Sequence, residues 1–300
     1  MRDKRIEPQG SAINYLINYK DGKIKKGLGI GCDLDRFFVY KPREMVTILG
    51  HDNVGKTAWM TWYFLCLVLK YDLQVCIWSG ENHKGQIMRD LIQMTIGRPY
   101  LELTHDEIRR CYLYLENHFE FVDNTHLYKP DELLEIFEST DAQVCLIDPY
   151  TGLDREMSYE GNYRFLNECR QFVNQTTKTI YINTHPTSEA GRTGMVFQEG
   201  DFKGMLKPPL RSHVEGGKAF LNRVDNMLIV HRMPGHKTMR YFTMVQVEKI
   251  KDKETGGEIT PHQEPILCEY NYGLGFKING VDPLKQNRLS WKPVQNRMKL

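Results

Sequence analysis

Apolar residues follow two alternating patterns between residues 45 and 185. Short runs made up mostly of apolar residues, typical of strands buried on both faces, lie at 45–49, 75–78, 144–147 and 179–183. Longer segments with apolar residues every three or four positions, typical of helices, lie at about 56–70, 84–96, 130–137 and 163–173. Because strands and helices alternate, we predict an α/β fold with a mostly parallel central sheet flanked by helices.

The two ends of the chain have different patterns. Residues 1–43 mix charge, glycine and short apolar pieces, among which Ala12 to Tyr19 could form a short helix. After about residue 185, a Gly-, Pro- and Lys-rich segment runs to Gly217. Strand-like pieces follow at 227–231, 241–250 and 266–272. We therefore predict three parts, with a β-rich C-terminal end to the main domain: an N-terminal arm at 1–40, the domain at 41–278 and a basic C-terminal tail at 279–300.

The composition limits the possible functions. The 300 residues are 41% hydrophobic and carry a formal net charge of +2, so any nucleic-acid contact must come from a local basic patch. The seven cysteines show no CxxC spacing, which favours a reducing compartment and argues against a zinc site. The polar N-terminus does not have the pattern of a signal peptide, and the longest apolar stretch, 59–69, is too short to span a bilayer. We expect a protein without membrane association, in the cytoplasm of a bacterium or of a phage-infected host.

Residues 50–57, GHDNVGKT, match the phosphate-binding pattern G-x-x-x-x-G-K-[ST] between a predicted strand and a predicted helix. The glycines let backbone N–H groups surround phosphate oxygens, and the helix N-terminus adds its positive end. Lys56 can reach the β- and γ-phosphates, and the Thr57 hydroxyl can bind Mg²⁺. We therefore expect ATP, or another NTP or dNTP, with Mg²⁺. The predicted cofactor-binding residues are Gly50, Asn53, Val54, Gly55, Lys56, Thr57 and Ala58.

Two carboxylates follow other predicted strands. Asp148 ends the apolar run Val-Cys-Leu-Ile-Asp and is a candidate for holding Mg²⁺ together with Thr57, although Asp-Pro also favours a turn. Glu81 follows the second strand and is a candidate for orienting and deprotonating the attacking water, or else an ordinary charge at a helix start. Since parallel strands open onto one crevice at their carboxyl ends, we expect both carboxylates and the segment 183–185 to surround one nucleotide.

Taken in order, these motifs resemble the RecA-like motor domain of DnaB-like replicative helicases. The resemblance rests on the phosphate-binding loop, Ser-Gly-Glu-Asn at 79–82, Leu-Ile-Asp at 146–148 and Asn-Thr-His-Pro at 183–186. The His-Pro form looks closest to phage primase-helicases and the mitochondrial helicase Twinkle. Further support comes from Gly-Gly-Lys at 216–218 leading to Asp225 and His231-Arg232, and from Glu-Lys-Ile-Lys at 248–251.

The resemblance implies roles for individual residues. Lys56, Glu81 and His185 would be catalytic, with Glu81 as the base and His185 as a sensor of the γ-phosphate, while Thr57 and Asp148 would serve the metal. The family's DNA-binding loops correspond to about 186–217. The predicted DNA-binding residues are Lys203, Lys207, Arg211, Gly216, Gly217 and Lys218, whose charges or main-chain N–H groups could meet phosphates. The aromatic rings of Phe197, Phe202 and Phe220 could stack on bases or pack inside the protein.

Two departures from the family pattern matter. The family places an arginine finger in its late motif, where this chain has Lys249 and Lys251. A lysine gives a point charge where arginine gives a planar fork, so Lys251, or alternatively Arg232 or Arg240, could supply the finger, or hydrolysis could be weak. The roughly forty residues before the first strand are too few for a primase or collar domain. They could instead form a linker to a neighbouring subunit or a locally packed helix, and a primase or loader would be a separate chain.

From the resemblance we expect an ATP-dependent replicative helicase that translocates on single-stranded DNA as a homohexameric ring, with 5′-to-3′ polarity. Two alternatives stay open. One is a RecA-like recombinase or DNA-repair ATPase that forms filaments, which the core motifs alone do not separate from a helicase. The other is a nucleotide-switched scaffold or helicase loader with weak hydrolysis.

Overall fold

The structure is a computed structural model that describes residues 6–24, 26–156, 158–188, 195–262 and 264–288. The strands in this part of the chain are β1 (Met45–Leu49), β2 (Val75–Ser79), β3 (Phe119–Phe121), β4 (Val144–Asp148), β5 (Thr179–Thr184), β6 (Asn226–Arg232), β7 (Phe242–Ile250), β8 (Ile266–Tyr270) and β9 (Phe276–Ile278). The α-helices are α1 (Ile13–Lys20), α2 (Lys56–Tyr71), α3 (Lys84–Ile96), α4 (His105–Glu116), α5 (Pro130–Ser139), α6 (Tyr159–Thr176), α7 (Lys218–Arg223), α8 (Lys253–Gly256) and α9 (Pro283–Asn287).

All these strands belong to one sheet in the order β3-β2-β4-β5-β1-β6-β7-β8-β9. The six strands from β3 to β6 in this order are parallel, and β1 lies between β5 and β6 with Thr47 opposite both Ile182 and Met227. From β6 onward the pairing is antiparallel. The predicted α/β fold, with a mostly parallel central sheet and a β-rich C-terminal part, is confirmed.

Helices cover both faces of the sheet because successive strand residues point to opposite sides. In β1, Val46 and Ile48 pack in the cluster that contains α2 and α3. Met45 and Leu49 pack in the cluster that contains α5, α6 and α7. Every residue from 59 to 68 in α2 is buried, so this helix is apolar on all sides. Removing a side chain from such a fully packed helix costs roughly 2–5 kcal/mol of stability.

Both predicted domain boundaries differ from the packing that the structure shows. Ile30, Leu34 and Phe38 are completely buried in the same cluster as α2, so residues 28–40 are part of the packed domain and not of an arm. Leu284 of α9 is also completely buried, and α9 contacts α2, so the packed part extends beyond residue 278. The rest of the predicted tail, 289–300, lies outside the described residues.

Several short elements were not predicted, namely α4, α7, α8, α9, β3 and β9. Most have six residues or fewer, which is too short for a helical or strand period to emerge. The 12-residue α4 is an exception, because Thr104 and Glu107 form a capping box that the sequence could have indicated. No helix in the described part of the chain has the length and apolarity needed to cross a membrane. All seven cysteines are free, and six of them are buried.

Candidate nucleotide and magnesium site

The loop at 50–55 leaves the carboxyl end of β1 and leads into α2. Gly50 has no room for a side chain, since a Cβ atom there would lie 2.3 Å from the carbonyl oxygen of Val230. Gly55 has a φ of 85° and Asn53 a φ of 57°, in the left-handed region that glycine and asparagine tolerate best. The available space at Gly50 and the positive φ at Asn53 and Gly55 therefore restrict which residue types this loop can contain.

Lys56 is buried at the start of α2. Its Nζ atom donates to the carbonyl oxygens of Gly50, at 2.9 Å, and His51, at 2.8 Å, and lies 3.3 Å from Nδ1 of His185. Burial lowers the pKa of Lys56 to about 8, although the negative charges of nearby carboxylates act to raise it. An anionic ligand beside Nζ would favour the charged form of this lysine.

Asp148 lies at the end of β4 and is 1% exposed. Its carboxylate accepts hydrogen bonds from the Thr57 hydroxyl at 2.8 Å, from Nδ2 of Asn183 and from the Ser79 hydroxyl at 3.4 Å. Burial raises the pKa of Asp148, while the hydrogen bonds from Thr57 and Asn183 act in the opposite direction. The structure thus brings together Thr57 and Asp148, the two residues that the sequence predicted for the metal.

The oxygen atoms at this point fit Mg²⁺. The donor set comprises a carboxylate and a hydroxyl, and the buried Oδ1 of Asn183 has no hydrogen-bond partner. Among the described residues, no group of three or more His, Cys, Asp or Glu side chains could hold a metal ion by itself. Mg²⁺ does not need such a group, because it usually takes one or two protein ligands and completes its shell with phosphate and water.

His185, directly after β5, lies between two acidic side chains. Its Nδ1 atom is 2.6 Å from the carboxylate of Asp52 in the phosphate-binding loop, and its Nε2 atom is 4.0 Å from that of Glu81. The structure therefore places Glu81 and His185 beside Lys56, as the sequence predicted. Asp52 was missed, because the variable positions of the motif carry no expectation of their own.

A cavity of about 570 Å³ joins these groups. This volume is in the range of pockets that hold small organic ligands. The lining residues include six of the seven predicted cofactor-binding residues, all except Gly50, together with Glu81, Asn183 and His185. Its walls also contain Asp52, Thr61, Asn82, Gln86, Ile87 and Asp90.

The main chain after His185 is joined to the end of the predicted DNA-binding segment. The N–H of Glu215 donates to the carbonyl of His185 at 3.0 Å, and the N–H of Thr187 donates to the carbonyl of His213 at 2.7 Å. Gly216 and Gly217 follow at once, with φ values of 99° and 69°. Residues 189–194, inside the predicted segment, lie outside the described residues.

Residues 195–207 form a hairpin, in which the N–H of Phe197 donates to Met205 and the N–H of Lys207 donates to Met195. We call it the 195–207 hairpin. Lys203 on this hairpin is exposed, as are Arg211 and Lys218 beyond it. Lys207 is half-buried, with its ammonium group 5.6 Å from the Phe197 ring.

The three phenylalanine rings of this region differ in burial. The rings of Phe197 and Phe202 are 5.4 Å apart, and Phe202 lies 5.0 Å from His236 in the turn after β6. Phe220 is completely buried beside Tyr150. Phe220 therefore packs inside the protein, while Phe197 and Phe202 are half-buried and pack against each other.

Lys249 and Lys251 lie at the opposite edge of the sheet from Lys56, because β7 ends beside the start of β6. Nζ of Lys249 donates to the carbonyls of Leu221 and Val224, each at 2.7 Å, and burial lowers its pKa. Nζ of Lys251 pairs with the buried Asp225 at 3.0 Å, although its own side chain is 66% exposed.

The two alternative finger residues lie elsewhere. Arg232 is at the carboxyl end of β6, on the same edge as the phosphate-binding loop, which follows the parallel neighbour β1. Its Nε atom donates to the carbonyl of Arg240 at 3.0 Å, and its guanidinium group is 5.5 Å from the Tyr270 ring. The four candidates thus form two pairs. Lys249 and Lys251 lie at the amino ends of the parallel strands, and Arg232 and Arg240 lie at their carboxyl ends.

The sequence matches no known family model and no curated protein. Among solved structures, one of an ATPase domain is similar with a TM-score of 0.66 at 14% identity, over 92% of this chain and 100% of that chain. A structure of a DnaB-like replicative helicase and its interactions with primase gives a TM-score of 0.67 at 13% identity, over 91% of this chain and 67% of that chain. The chain therefore has the RecA-like fold of the ATPase domain of DnaB-like replicative helicases.

Proposed function

We propose that this chain is an ATP-dependent replicative DNA helicase that translocates on single-stranded DNA as a ring. One observation carries the proposal. Lys56, Thr57 and His185 line one cavity, and Thr57 is hydrogen-bonded to the buried Asp148 behind it. The main chain of His185 is hydrogen-bonded to the segment that ends at Gly216 and Gly217. The main chain and the hydrogen bond between His185 and Glu215 thus connect the predicted position of the terminal phosphate with residues predicted to bind DNA.

The side chains of the site suggest how hydrolysis would proceed. The N–H groups of the loop and Lys56 would hold the phosphates, and Thr57 and Asp148 would hold Mg²⁺. Bound Mg²⁺ would neutralise part of the phosphate charge. The Glu81 carboxylate orients a water molecule and accepts its proton as the water oxygen attacks the terminal phosphorus and the bond to the leaving diphosphate breaks.

A second copy of the chain would complete the site. Lys249 and Lys251 are separated from the phosphate-binding loop of their own chain by the length of β1, on the order of 15 Å for its five residues. They can therefore stabilise phosphate charge only on a neighbouring subunit. An oligomer in which Lys251 reaches the phosphates of the neighbouring subunit fits this arrangement, and we propose that this oligomer is a closed homohexamer.

The N-terminal helix offers a means of joining subunits. α1 has no buried residue, and Ile13, Leu16 and Ile17 are about half exposed. A groove of about 470 Å³ runs between α3, α4 and β3, with an apolar floor that includes Ile92 and Phe119. We propose that residues 6–24 act as a linker whose helix covers this groove on the next subunit.

The scaffold alternative has one specific observation in its favour. Both lysines of the late motif are engaged within their own chain, Lys249 by carbonyl oxygens and Lys251 by Asp225. A subunit whose finger stays in these contacts would hydrolyse ATP slowly and act as a nucleotide-switched scaffold or loader.

Strand displacement on forked DNA of both polarities tests the proposal. A ring helicase should unwind one of the two forks in the presence of Mg²⁺ and ATP, and negative-stain images should show closed rings. DNA-stimulated ATP hydrolysis without unwinding, together with open filaments, would instead identify a recombinase-like ATPase. Absence of DNA-stimulated hydrolysis, with nucleotide binding intact, would support the scaffold.

A further inference from the structure

Two histidines connect the phosphate-binding loop to the 195–207 hairpin. Nε2 of His51, at the second position of the loop, lies 3.3 Å from the carbonyl oxygen of Lys207. Nε2 of His231, near the end of β6, lies 3.1 Å from the carbonyl oxygen of the preceding residue, Leu206. The two rings are 5.8 Å apart and nearly perpendicular, at 67°. The pair therefore holds two consecutive carbonyls of the hairpin.

The chemistry of the partners fixes the protonation of both rings. A carbonyl oxygen only accepts hydrogen bonds, so each Nε2 must carry a proton. Burial lowers the pKa of His231 to about 4, and burial also lowers the pKa of His51. Two neutral rings can therefore lie side by side without repulsion at neutral pH, each as a fixed hydrogen-bond donor.

The main chain of His51 touches the groups that would respond to nucleotide. Its carbonyl oxygen accepts a 2.8 Å hydrogen bond from Lys56, the residue predicted to hold the β- and γ-phosphates. The adjacent Gly50 fits against the carbonyl of Val230, next to His231. When Lys56 binds phosphate oxygens instead, the carbonyl of His51 loses this hydrogen bond. The side chain of the same residue holds the carbonyl of Lys207.

We propose that His51 and His231 are positioning residues that couple nucleotide binding to the geometry of the 195–207 hairpin, and so to its affinity for single-stranded DNA. The inference deepens the proposed function and rests on it. The link is separate from the path through His185, because it reaches Leu206 and Lys207, inside the predicted DNA-binding segment, and not Glu215 near its end. Neither imidazole lines the nucleotide cavity.

A coupling measurement on the full chain tests the proposal. The dissociation constant of a fluorescein-labelled oligo-dT is measured by anisotropy with and without Mg²⁺ and a non-hydrolysable ATP analogue, and the ratio gives the coupling. By linkage, oligo-dT must change the affinity for the analogue by the same factor. We expect His51→Leu and His231→Leu to reduce this ratio by roughly threefold to tenfold. His51→Gln, whose amide nitrogen can reach the same carbonyl, should restore it.

His236→Leu is the matched control, because it removes a ring contact of the hairpin with Phe202 without touching the phosphate-binding loop. It should keep the wild-type ratio. Should His51→Leu fail to fold, His51→Asn keeps a polar side chain at this half-buried position but is too short to reach Lys207, and should show the same loss.

Several results would overturn the link. These are a wild-type ratio in the folded His51 variants, an equal loss in His236→Leu, or a ratio of one in wild-type protein that binds both probes. Failure of the wild-type chain to bind the Mg²⁺ nucleotide analogue at all would refute the proposed function itself, and the inference with it.

Discussion

The hydroxyl of Thr57, at the start of α2, donates a 2.8 Å hydrogen bond to the carboxylate of Asp148, at the end of β4. The two residues stand 91 positions apart in the chain and follow strands that are separated by β5 in the sheet. Their contact holds both predicted metal-side groups side by side. Burying the Asp148 carboxylate works against folding, since its pKa is raised, so this alignment favours function at the expense of stability.

Asp148→Asn should separate activity from stability. In the folded state the pKa of Asp148 is raised, so its stabilising contribution is present at low pH, where the carboxyl is protonated, and is lost as the pH rises through the folded value. At neutral pH without Mg²⁺, the asparagine variant should therefore melt a few degrees higher than wild type. Its Mg²⁺-dependent ATP hydrolysis should fall by at least about tenfold.

Calorimetry and a phosphate-release assay check both effects. A substitution of Asp141 by Asn serves as the control, because Asp141 is exposed and lies before the start of β4, at the opposite end of the strand from Asp148. A variant that melts lower and hydrolyses ATP normally would contradict the role assigned to Asp148.

Glu81→Gln should abolish turnover while leaving nucleotide affinity near that of wild type. The amide can still accept a hydrogen bond from water but is too weak a base to take its proton, so hydrolysis should fall by about 100-fold or more. Single-turnover hydrolysis and equilibrium binding of a fluorescent ATP analogue give the two numbers. Glu102→Gln, outside the cavity, should behave as wild type. Equal losses of binding and turnover would assign Glu81 to binding and not to proton transfer.

Glu44 should make stability depend on pH between about 4.5 and 7. This side chain precedes β1 and accepts a hydrogen bond from Asn226, and its burial raises the pKa from 4.5 to about 7. Its contribution to stability is complete below pH 4.5 and is lost as the pH rises through 7. Relative to Glu44→Gln, wild type should lose on the order of 3 kcal/mol over this interval.

Urea unfolding of both proteins at several pH values measures this difference. The free-energy gap between wild type and the glutamine variant should widen steadily up to neutral pH. A gap that is the same at pH 5 and pH 8 would show that the carboxyl group titrates alike in the folded and unfolded chains.

Lys251 should act across the subunit boundary. Lys251→Ala and Lys56→Ala proteins should each lack DNA-stimulated hydrolysis, since one lacks the donated cation and the other the phosphate ligand. Mixed rings contain interfaces in which an intact Lys251 faces an intact Lys56, so mixing should recover part of the activity. Lys251→Arg should retain hydrolysis, because arginine supplies the same charge with a planar fork.

Two outcomes would remove this role. Full DNA-stimulated turnover in Lys251→Ala would exclude Lys251 as the finger, and Arg232→Ala should then be compared. Absence of recovery in mixtures shown to form mixed rings would place the effect of Lys251 within its own chain, where it pairs with Asp225.

The sequence could indicate the strand, loop and helix around the predicted phosphate-binding motif because the requirements of this motif are local. A motif of eight residues between a strand and a helix already defines the positions of Gly50, Gly55 and Lys56. Asp148 and Glu81 needed one more step, which parallel strands provide because their carboxyl ends meet at one edge. The convergence of these residues is thus a consequence of strand order that a pattern of alternating elements can indicate.

Contacts between distant segments were not predictable in this way. The hydrogen bond from His51 to Lys207 spans 156 positions, and nothing in a variable motif position points to its partner. The same holds for Asp52 with His185. Buried segments without a clear period, such as residues 28–40, were also misassigned, because tertiary packing and not local propensity makes them part of the core.

Calorimetric titration of the wild-type chain with an ATP analogue and Mg²⁺, beside the Lys56→Ala variant, tests the central claim most directly. A Mg²⁺-dependent affinity in wild type that weakens by at least roughly tenfold in Lys56→Ala is the expected result, since the variant loses a charged hydrogen bond to phosphate. Lys70→Ala, at the far end of the same helix, should match wild type. A wild-type chain that does not bind Mg²⁺ nucleotide, or binds it equally well without Lys56, would contradict the account.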